Sequence, residues 1–270
     1  MDPIQGALLG IVQGLTEPLP VSSSAHLVLV PWLLGWSEHS LTYDVALHMG
    51  TLAALLIFFW KDWWALARAW FRGAAAGDRT LDRRLGLTLV LGTIPAAIAG
   101  VLFEDLIESS LRSPPLIATV MLFASLVILA ADRLGRRTLP LGAITYPRAF
   151  LIGLAQASAL VPGVSRSGAT ISAGLALGLT REAAARYAFL LATPITAGAG
   201  VLKLKDLFET GIPTNLQAAF ITGIGVSFVV GLLAIGFLLR YLRRNSLMVF
   251  IVYRIALALF VLALSFTRAA

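Results

Sequence analysis

The sequence predicts an all-α polytopic integral membrane protein. Three observations carry that expectation: an apolar composition, apolar runs long enough to cross a bilayer, and basic residues gathered into alternate loops. Of the 270 residues, 58% are hydrophobic and 13% are charged, whereas a soluble domain is about 25% charged. Too little polar surface remains to cover a water-facing globule, so lipid is the expected solvent. Runs 85–103, 217–239 and 247–266 approach or exceed the roughly 20 residues that span a bilayer. Runs 45–60, 116–131 and 187–202 are shorter but can span with anchored ends. The absence of cysteine excludes disulfide and thiol chemistry. The N-terminus lacks a basic region and does not read as a cleaved signal peptide. A net charge of +7 reads as topology-setting loops in contact with anionic headgroups, and nucleic acid is not an expected partner.

The loop charges order the spans. Segments 61–84, 132–148, 180–186 and 240–245 hold 15 of the 21 lysines and arginines, which places them on the cytoplasmic side. Segments 36–44, 104–114 and 203–214 are acidic or poor in base and are expected outside. Glu38, Asp44, Glu104, Asp105 and Glu108 set the first two, and Lys203 and Lys205 are balanced by Asp206 and Glu209 in the third. Two apolar stretches then remain, and both are broken. Residues 1–35 are interrupted by Pro18, Pro20 and three serines, and residues 149–179 by Pro162, Gly163 and Gly168. The charge pattern makes the second enter and leave on one face, and the first reads the same way from the other. Non-helical backbone at that depth is tolerated only in protein or beside a wet cavity, so the breaks should meet and form a site.

Each half is thus expected to be a re-entrant helical hairpin followed by three transmembrane helices, in opposite orientations. This is an inverted-topology repeat, with residues 1–131 as the first copy, 149–270 as the second and 132–148 as a cytoplasmic linker within a single membrane domain. Aligned without a gap, Gln13, Val21, Ser22 and Ser24 fall on Gln156, Val164, Ser165 and Ser167.

Polar groups inside such hairpins are costly and are read first as functional. Gln13 and Glu17, four residues apart, share one helical face. Their oxygens can hold a hard cation such as Mg²⁺, with Ca²⁺ as the alternative, or merely pair to stabilise the helix. His26 follows Ser22 by four positions and Ser23 by three, so a serine beside the imidazole could be an activated nucleophile. Ser22, Ser23 and Ser24 can equally cap the helix that follows. In the second break, Gly163, Ser165, Ser167, Gly168 and Thr170 surround Arg166 at a helix start, a combination of N–H, hydroxyl and guanidinium donors suited to an anion. The plainer reading is an arginine satisfied by backbone carbonyls. Asp44 and His48 read as groups meeting headgroups or solvent at a span end. Trp60, Trp63, Trp64 and Trp70 read as an interfacial belt. Arg254 is a second intramembrane base with no assignable partner. One break therefore offers acid, hydroxyl and imidazole, and the other cationic donors, which suits phosphate chemistry on a lipid-tailed substrate.

At these residues the chain resembles the undecaprenyl-diphosphate phosphatase family, the bacitracin-resistance proteins. The resemblance rests on Gln13-Gly-Leu-Thr-Glu17-Pro-Leu-Pro-Val-Ser-Ser-Ser-Ala-His26 and on Pro162-Gly-Val-Ser-Arg166-Ser-Gly-Ala-Thr170, and it covers essentially the whole chain. Gln13 stands where many members have glutamate, which weakens a two-carboxylate metal site and leaves Glu17 as the main acid. The resemblance implies hydrolysis of undecaprenyl diphosphate to undecaprenyl phosphate and phosphate, recycling the carrier of peptidoglycan precursors. It implies Ser23 as nucleophile with His26 as general base (or His26 itself as nucleophile), Glu17 orienting His26 or holding a divalent cation, and Arg166 stabilising the phosphoryl oxygens. Ser22, Ser24, Gly163, Ser165, Ser167, Gly168 and Thr170 would bind phosphate. It further implies a multi-pass protein of the bacterial inner membrane with its site open to the periplasm. Its partners would be the bilayer, the lipid diphosphate and, as a candidate assembly, a second copy in a homodimer. The rival function is a transporter or flippase of undecaprenyl phosphate using the same anion site, but carriage alone does not require the Ser23, His26 and Glu17 group.

Overall fold

The computed structural model describes residues 1–37, 39–72, 81–211 and 213–269. Glu38 of segment 36–44 and Arg79 of the basic segment 61–84 lie outside the described residues. So do the side chains of Arg72, Glu104, Asp105, Glu108, Lys203, Lys205, Asp206 and Glu209. Eleven α-helices are described: α1 (Pro3–Thr16), α2 (Ser23–Leu34), α3 (Leu41–Phe58), α4 (Trp60–Arg72), α5 (Leu81–Ser110), α6 (Pro114–Leu134), α7 (Tyr146–Ser158), α8 (Arg166–Ala176), α9 (Arg181–Thr210), α10 (Thr214–Leu242) and α11 (Met248–Ala269). Six of them, α3, α5, α6, α9, α10 and α11, are long and apolar enough to cross a membrane. The protein is an all-helical, polytopic membrane protein, and the six spans fall where the apolar runs placed them.

The two broken stretches are helix pairs, α1 with α2 and α7 with α8. Asp2 and Gln5 form a reciprocal capping box at the start of α1, with bonds of 2.8 and 3.2 Å. Helix α1 stops where Pro18 lacks the N–H to continue it. Helix α7 stops before Pro162 and Gly163. Both following helices begin in the same unusual way. Ser22 and Ser165 are non-glycine residues at positive φ, +77° and +78°, a conformation that costs energy and persists where the surroundings enforce it. Each accepts an N–H three residues on, from Ala25 at 3.4 Å and from Gly168 at 3.1 Å. Each also lies 3.3 Å from the hydroxyl two residues on, Ser24 or Ser167.

Small residues let these short helices pack closely against long ones. A Cβ on Gly6 or Gly10 would sit 2.5 Å from a carbonyl oxygen of Ala219 or Gly223, and one on Gly14 would sit 2.7 Å from Val230 Cβ. This stripe of small residues at four-residue spacing seats α1 on α10. In the second half Gly153 of α7 meets the Gly92 carbonyl of α5. Gly10→Val should therefore force α1 away from α10, and a drop of several degrees in the thermal midpoint in detergent would register it.

The charged segments sort to two ends. At one end Arg84 donates to the Ile144 carbonyl at 2.6 and 3.1 Å, Arg181 pairs with Asp132 at 2.6 Å, Arg243 pairs with Glu182 at 2.9 Å, and Arg186 pairs with Asp62. All four basic segments of the sequence thus meet. At the other end, reached along the 18 residues of α3, Asp44 binds His39 at 2.6 Å and Arg112 at 2.9 Å. Asp44 is therefore a buried, paired group rather than one exposed to headgroups or solvent.

Segment 61–84, expected as a loop, begins as helix α4. Its Trp60, Trp64 and Trp70 are exposed, and Lys61 and Arg68 stand over Trp60 and Trp64 at 5.7 and 5.6 Å. Charged and aromatic residues share one amphipathic helix there, which a search for apolar runs passes over.

Arg254 resolves the question of its partner. It is fully buried in α11 and donates to Ser125 Oγ at 2.9 Å and to the carbonyls of Met121 at 3.3 Å, Pro20 at 3.4 Å, Gly163 at 2.8 Å and Val164 at 3.3 Å. One guanidinium thus satisfies carbonyls of both breaks, groups that would otherwise lack partners at membrane depth. Ser167 Oγ adds a second stitch between the breaks, donating to the Leu19 carbonyl at 2.9 Å.

Candidate active site

Glu17, the first residue past α1, is the hub where the two breaks meet. Its Oε1 accepts from Arg166 at the start of α8. Its Oε2 accepts from the Ser23 hydroxyl at the start of α2, from Gln13 Nε2 at 3.3 Å, and faces His48 Nε2 of α3 at 3.2 Å. Gln13 Nε2 also lies 3.4 Å from Thr51 Oγ1. Arg166 Nη1 donates to Thr196 Oγ1 of α9 at 2.5 Å. Two of the five guanidinium N–H groups hold the fork in place, and among the described residues the rest have no hydrogen-bond partner.

His48, read from sequence as a span-end group, is part of this centre. Its Nδ1 is 2.7 Å from the Asp44 carbonyl, which can only accept, so Nδ1 carries a proton. With Nε2 turned toward the Glu17 carboxylate, a second proton lies between His48 and Glu17. A sequence signal existed in a histidine inside an apolar run, but its partner is 31 residues away and the spacing pointed to the span end.

His26 stands elsewhere. Its Nδ1 is 2.7 Å from the Ser22 carbonyl and its Nε2 is 2.7 Å from the Tyr253 hydroxyl, against whose ring it stacks at 5.6 Å. The carbonyl requires Nδ1–H, so Nε2 accepts from Tyr253. No lone pair is left for Ser23, whose proton is directed to Glu17. The expected Ser23–His26 pair is not formed, because the helical spacing that allowed it also lets His26 bond back to Ser22 and turn toward α11. His26 instead positions the cap residue of α2.

A cavity of about 250 Å³ opens on the hub. Glu17, Ser23, Ser24, His48, Gln156, Ser165, Arg166 and Thr196 line its polar part, and it extends to Asp44 and Arg112. The remaining wall is apolar, with Leu27, Val28, Leu41, Val45, Leu160 and Ile195. Of the expected phosphate-binding residues, Ser24 and Ser165 line this cavity; Ser22, Gly163, Ser167, Gly168 and Thr170 do not. Ser22 and Ser165 act as caps, and Gly163 gives its carbonyl to Arg254. Ser167 stitches the breaks, and the Thr170 hydroxyl donates to the Arg166 carbonyl at 2.7 Å. A Cβ on Gly168 would sit 3.1 Å from the Ser165 hydroxyl, so the glycine keeps that cap open.

As arranged, these residues do not fit a resident divalent cation. Both Glu17 oxygens face N–H or O–H donors, and Gln13 presents its amide nitrogen to Glu17. Among the described residues no group of three or more His, Cys, Asp or Glu side chains is placed to hold a metal.

Fold and site together define an integral membrane protein with a buried carboxylate–arginine–serine centre at the junction of two broken helix pairs. The sequence profile described as Bacitracin resistance protein BacA matches residues 6–260, and the chain belongs to that family. A protein of Geotalea daltonii named undecaprenyl-diphosphatase is 50% identical over 259 residues, covering 95% of this chain and 96% of its own length. Proteins of the same name from Geobacter sulfurreducens and Thermomicrobium roseum are 48% and 46% identical, each covering 99% of this chain and 100% of their own length.

Proposed function

We infer that this protein hydrolyses undecaprenyl diphosphate to undecaprenyl phosphate and phosphate, recycling the lipid carrier used in peptidoglycan synthesis. The observation that carries the reading is the hub itself: a serine hydroxyl bonded to a carboxylate, beside an arginine, on the wall of a cavity inside a membrane protein. The relatives that match it from end to end are named for a diphosphatase activity. Pure carriage of undecaprenyl phosphate would not need the Ser23–Glu17 bond.

In this reading Ser23 Oγ attacks the terminal phosphorus and its proton passes to Glu17. The bond from that phosphorus to the bridging oxygen breaks, and undecaprenyl phosphate leaves. Water then attacks the phosphoserine, and phosphate departs as the proton returns to Ser23. Arg166 stabilises the equatorial oxygens, where charge shifts in the transition state. His48 holds a proton against Glu17 and fixes its orientation.

The membrane placement rests on charge. The end where the basic segments meet is cytoplasmic by the positive-inside bias. The cavity runs away from that end toward Asp44 and Arg112, and so opens to the periplasmic side of a bacterial inner membrane. The inverted-repeat reading of residues 1–131 and 149–270 is supported by the matched serine caps and by matched packing, α1 on α10 and α7 on α5.

A divalent cation, Mg²⁺ or Ca²⁺, would enter bound to the diphosphate rather than wait in the protein. Purified protein in detergent should release phosphate from polyprenyl diphosphates, and EDTA should suppress the release. Divalent cation without substrate should leave the thermal midpoint unmoved. Absence of phosphate release from undecaprenyl diphosphate would refute the function. Full activity in EDTA would refute the cation.

A further inference from the structure

Gln156, in the last turn of α7, is 2% exposed and lines the cavity, yet neither its amide nitrogen nor its amide oxygen has a hydrogen-bond partner. Other buried side-chain atoms without partners occur among the described residues, on Gln13, Trp63, Ser172 and Arg186, but none of those residues lines this cavity. Buried amides are ordinarily hydrogen-bonded. One left open on the wall of a cavity is poised for a partner that arrives with the ligand.

Comparison with Gln13 shows why Gln156 is open. The two glutamines occupy matched positions, Gln13 in α1 and Gln156 in α7, each nine residues before the serine cap, Ser22 or Ser165. Gln13 is followed four residues on by Glu17, and its amide nitrogen is directed to that carboxylate. Gln156 is followed four residues on by Leu160, which offers no acceptor. The first glutamine is used inside the protein, and the second faces the same cavity as Arg166 with its donors unused.

We propose that Gln156 is a further substrate-binding residue, whose amide nitrogen donates to a non-bridging phosphoryl oxygen of the lipid diphosphate held by Arg166. Its carbonyl oxygen accepts from water that enters with the substrate. A neutral donor suits this place, because Arg166 already supplies positive charge at the Glu17 end of the cavity. The assignment rests on the phosphatase reading and extends it to a residue that grips the phosphate end rather than the lipid tail.

The test compares wild type with Gln156→Leu, which removes both polar atoms at similar size, and with Gln156→Glu, which keeps the shape and replaces the donor by an acid. The readouts are kcat and KM on undecaprenyl diphosphate, and the rise in thermal midpoint that inorganic phosphate causes in detergent. Losing a hydrogen bond to a charged oxygen should raise KM about tenfold. The phosphate-induced rise should shrink in Gln156→Leu and vanish in Gln156→Glu, while kcat changes much less and the ligand-free midpoint is kept. Gln156→Glu keeps the question answerable if Gln156→Leu does not purify. Unchanged KM and an unchanged phosphate response in either folded variant would overturn the proposal. If wild type released no phosphate from the lipid, the phosphatase reading would fail separately, and the inorganic phosphate response alone would still decide whether Gln156 binds phosphate.

Discussion

Glu17→Gln is expected to lower kcat/KM on undecaprenyl diphosphate by about 10³–10⁴, in the upper range for loss of a positioned proton acceptor. The change keeps the size of the side chain and removes only its charge. Three consequences converge on one atom. The Ser23 proton loses its destination, Arg166 loses the carboxylate that aims its fork, and His48 loses the group against which it holds a proton. Glu17→Asp should recover part of the loss, since it restores charge at a shorter reach. Phosphate release by purified variants measures this, with thermal unfolding in detergent as the control for folding. A folded Glu17→Gln protein retaining a tenth of wild-type kcat/KM would exclude Glu17 as the acceptor.

Arg166→Lys should cost about 10²–10³ in kcat/KM, the loss expected when a preorganised donor to developing charge is removed. Lysine keeps the charge but not the planar fork. In the protein one arm of that fork donates to Glu17 and another to Thr196 at 2.5 Å, so the remaining N–H groups are aimed by two anchors, one just past α1 and one on α9. A single ammonium cannot keep both anchors and still meet the phosphate in pairs. Ser167→Ala, by contrast, removes a stitch to the Leu19 carbonyl outside the cavity. It should lower stability by about 1 kcal/mol, the typical worth of one hydrogen bond, and leave kcat/KM within a few-fold. If Arg166→Lys kept more than half of wild-type kcat/KM, the arginine would act by charge alone.

Much of this architecture could be read from the chain because lipid imposes simple rules. Span length, proline and glycine breaks, and loop charge located the six crossing helices, the two broken stretches and the joint site. Glu17 and Arg166 stood out because a charge at a break is costly unless used. Contacts made across the fold were harder to see. His48 reaches Glu17 only because α3 packs beside the first break, whereas His26 had a serine at a suggestive spacing and turned to Tyr253 instead. Arg254 could not be paired because its partners are mostly carbonyls, which every residue carries and no pattern marks. Helix α4 does not stand out for a related reason, since its tryptophans alternate with charges along one helix and form no apolar run.

The clamp formed by Arg254 also bears on how the protein is made. Every group of the hub is in place along the chain by Thr196, yet the guanidinium that ties the two breaks together belongs to α11, which follows the whole hub in chain order. Until that helix enters the bilayer, the carbonyls of Pro20, Gly163 and Val164 lack it as a donor. From Thr196 until Arg254 is made, the nascent chain therefore carries its complete reactive set without the brace that joins the halves. The two halves are thus joined at their breaks only once α11 is in place.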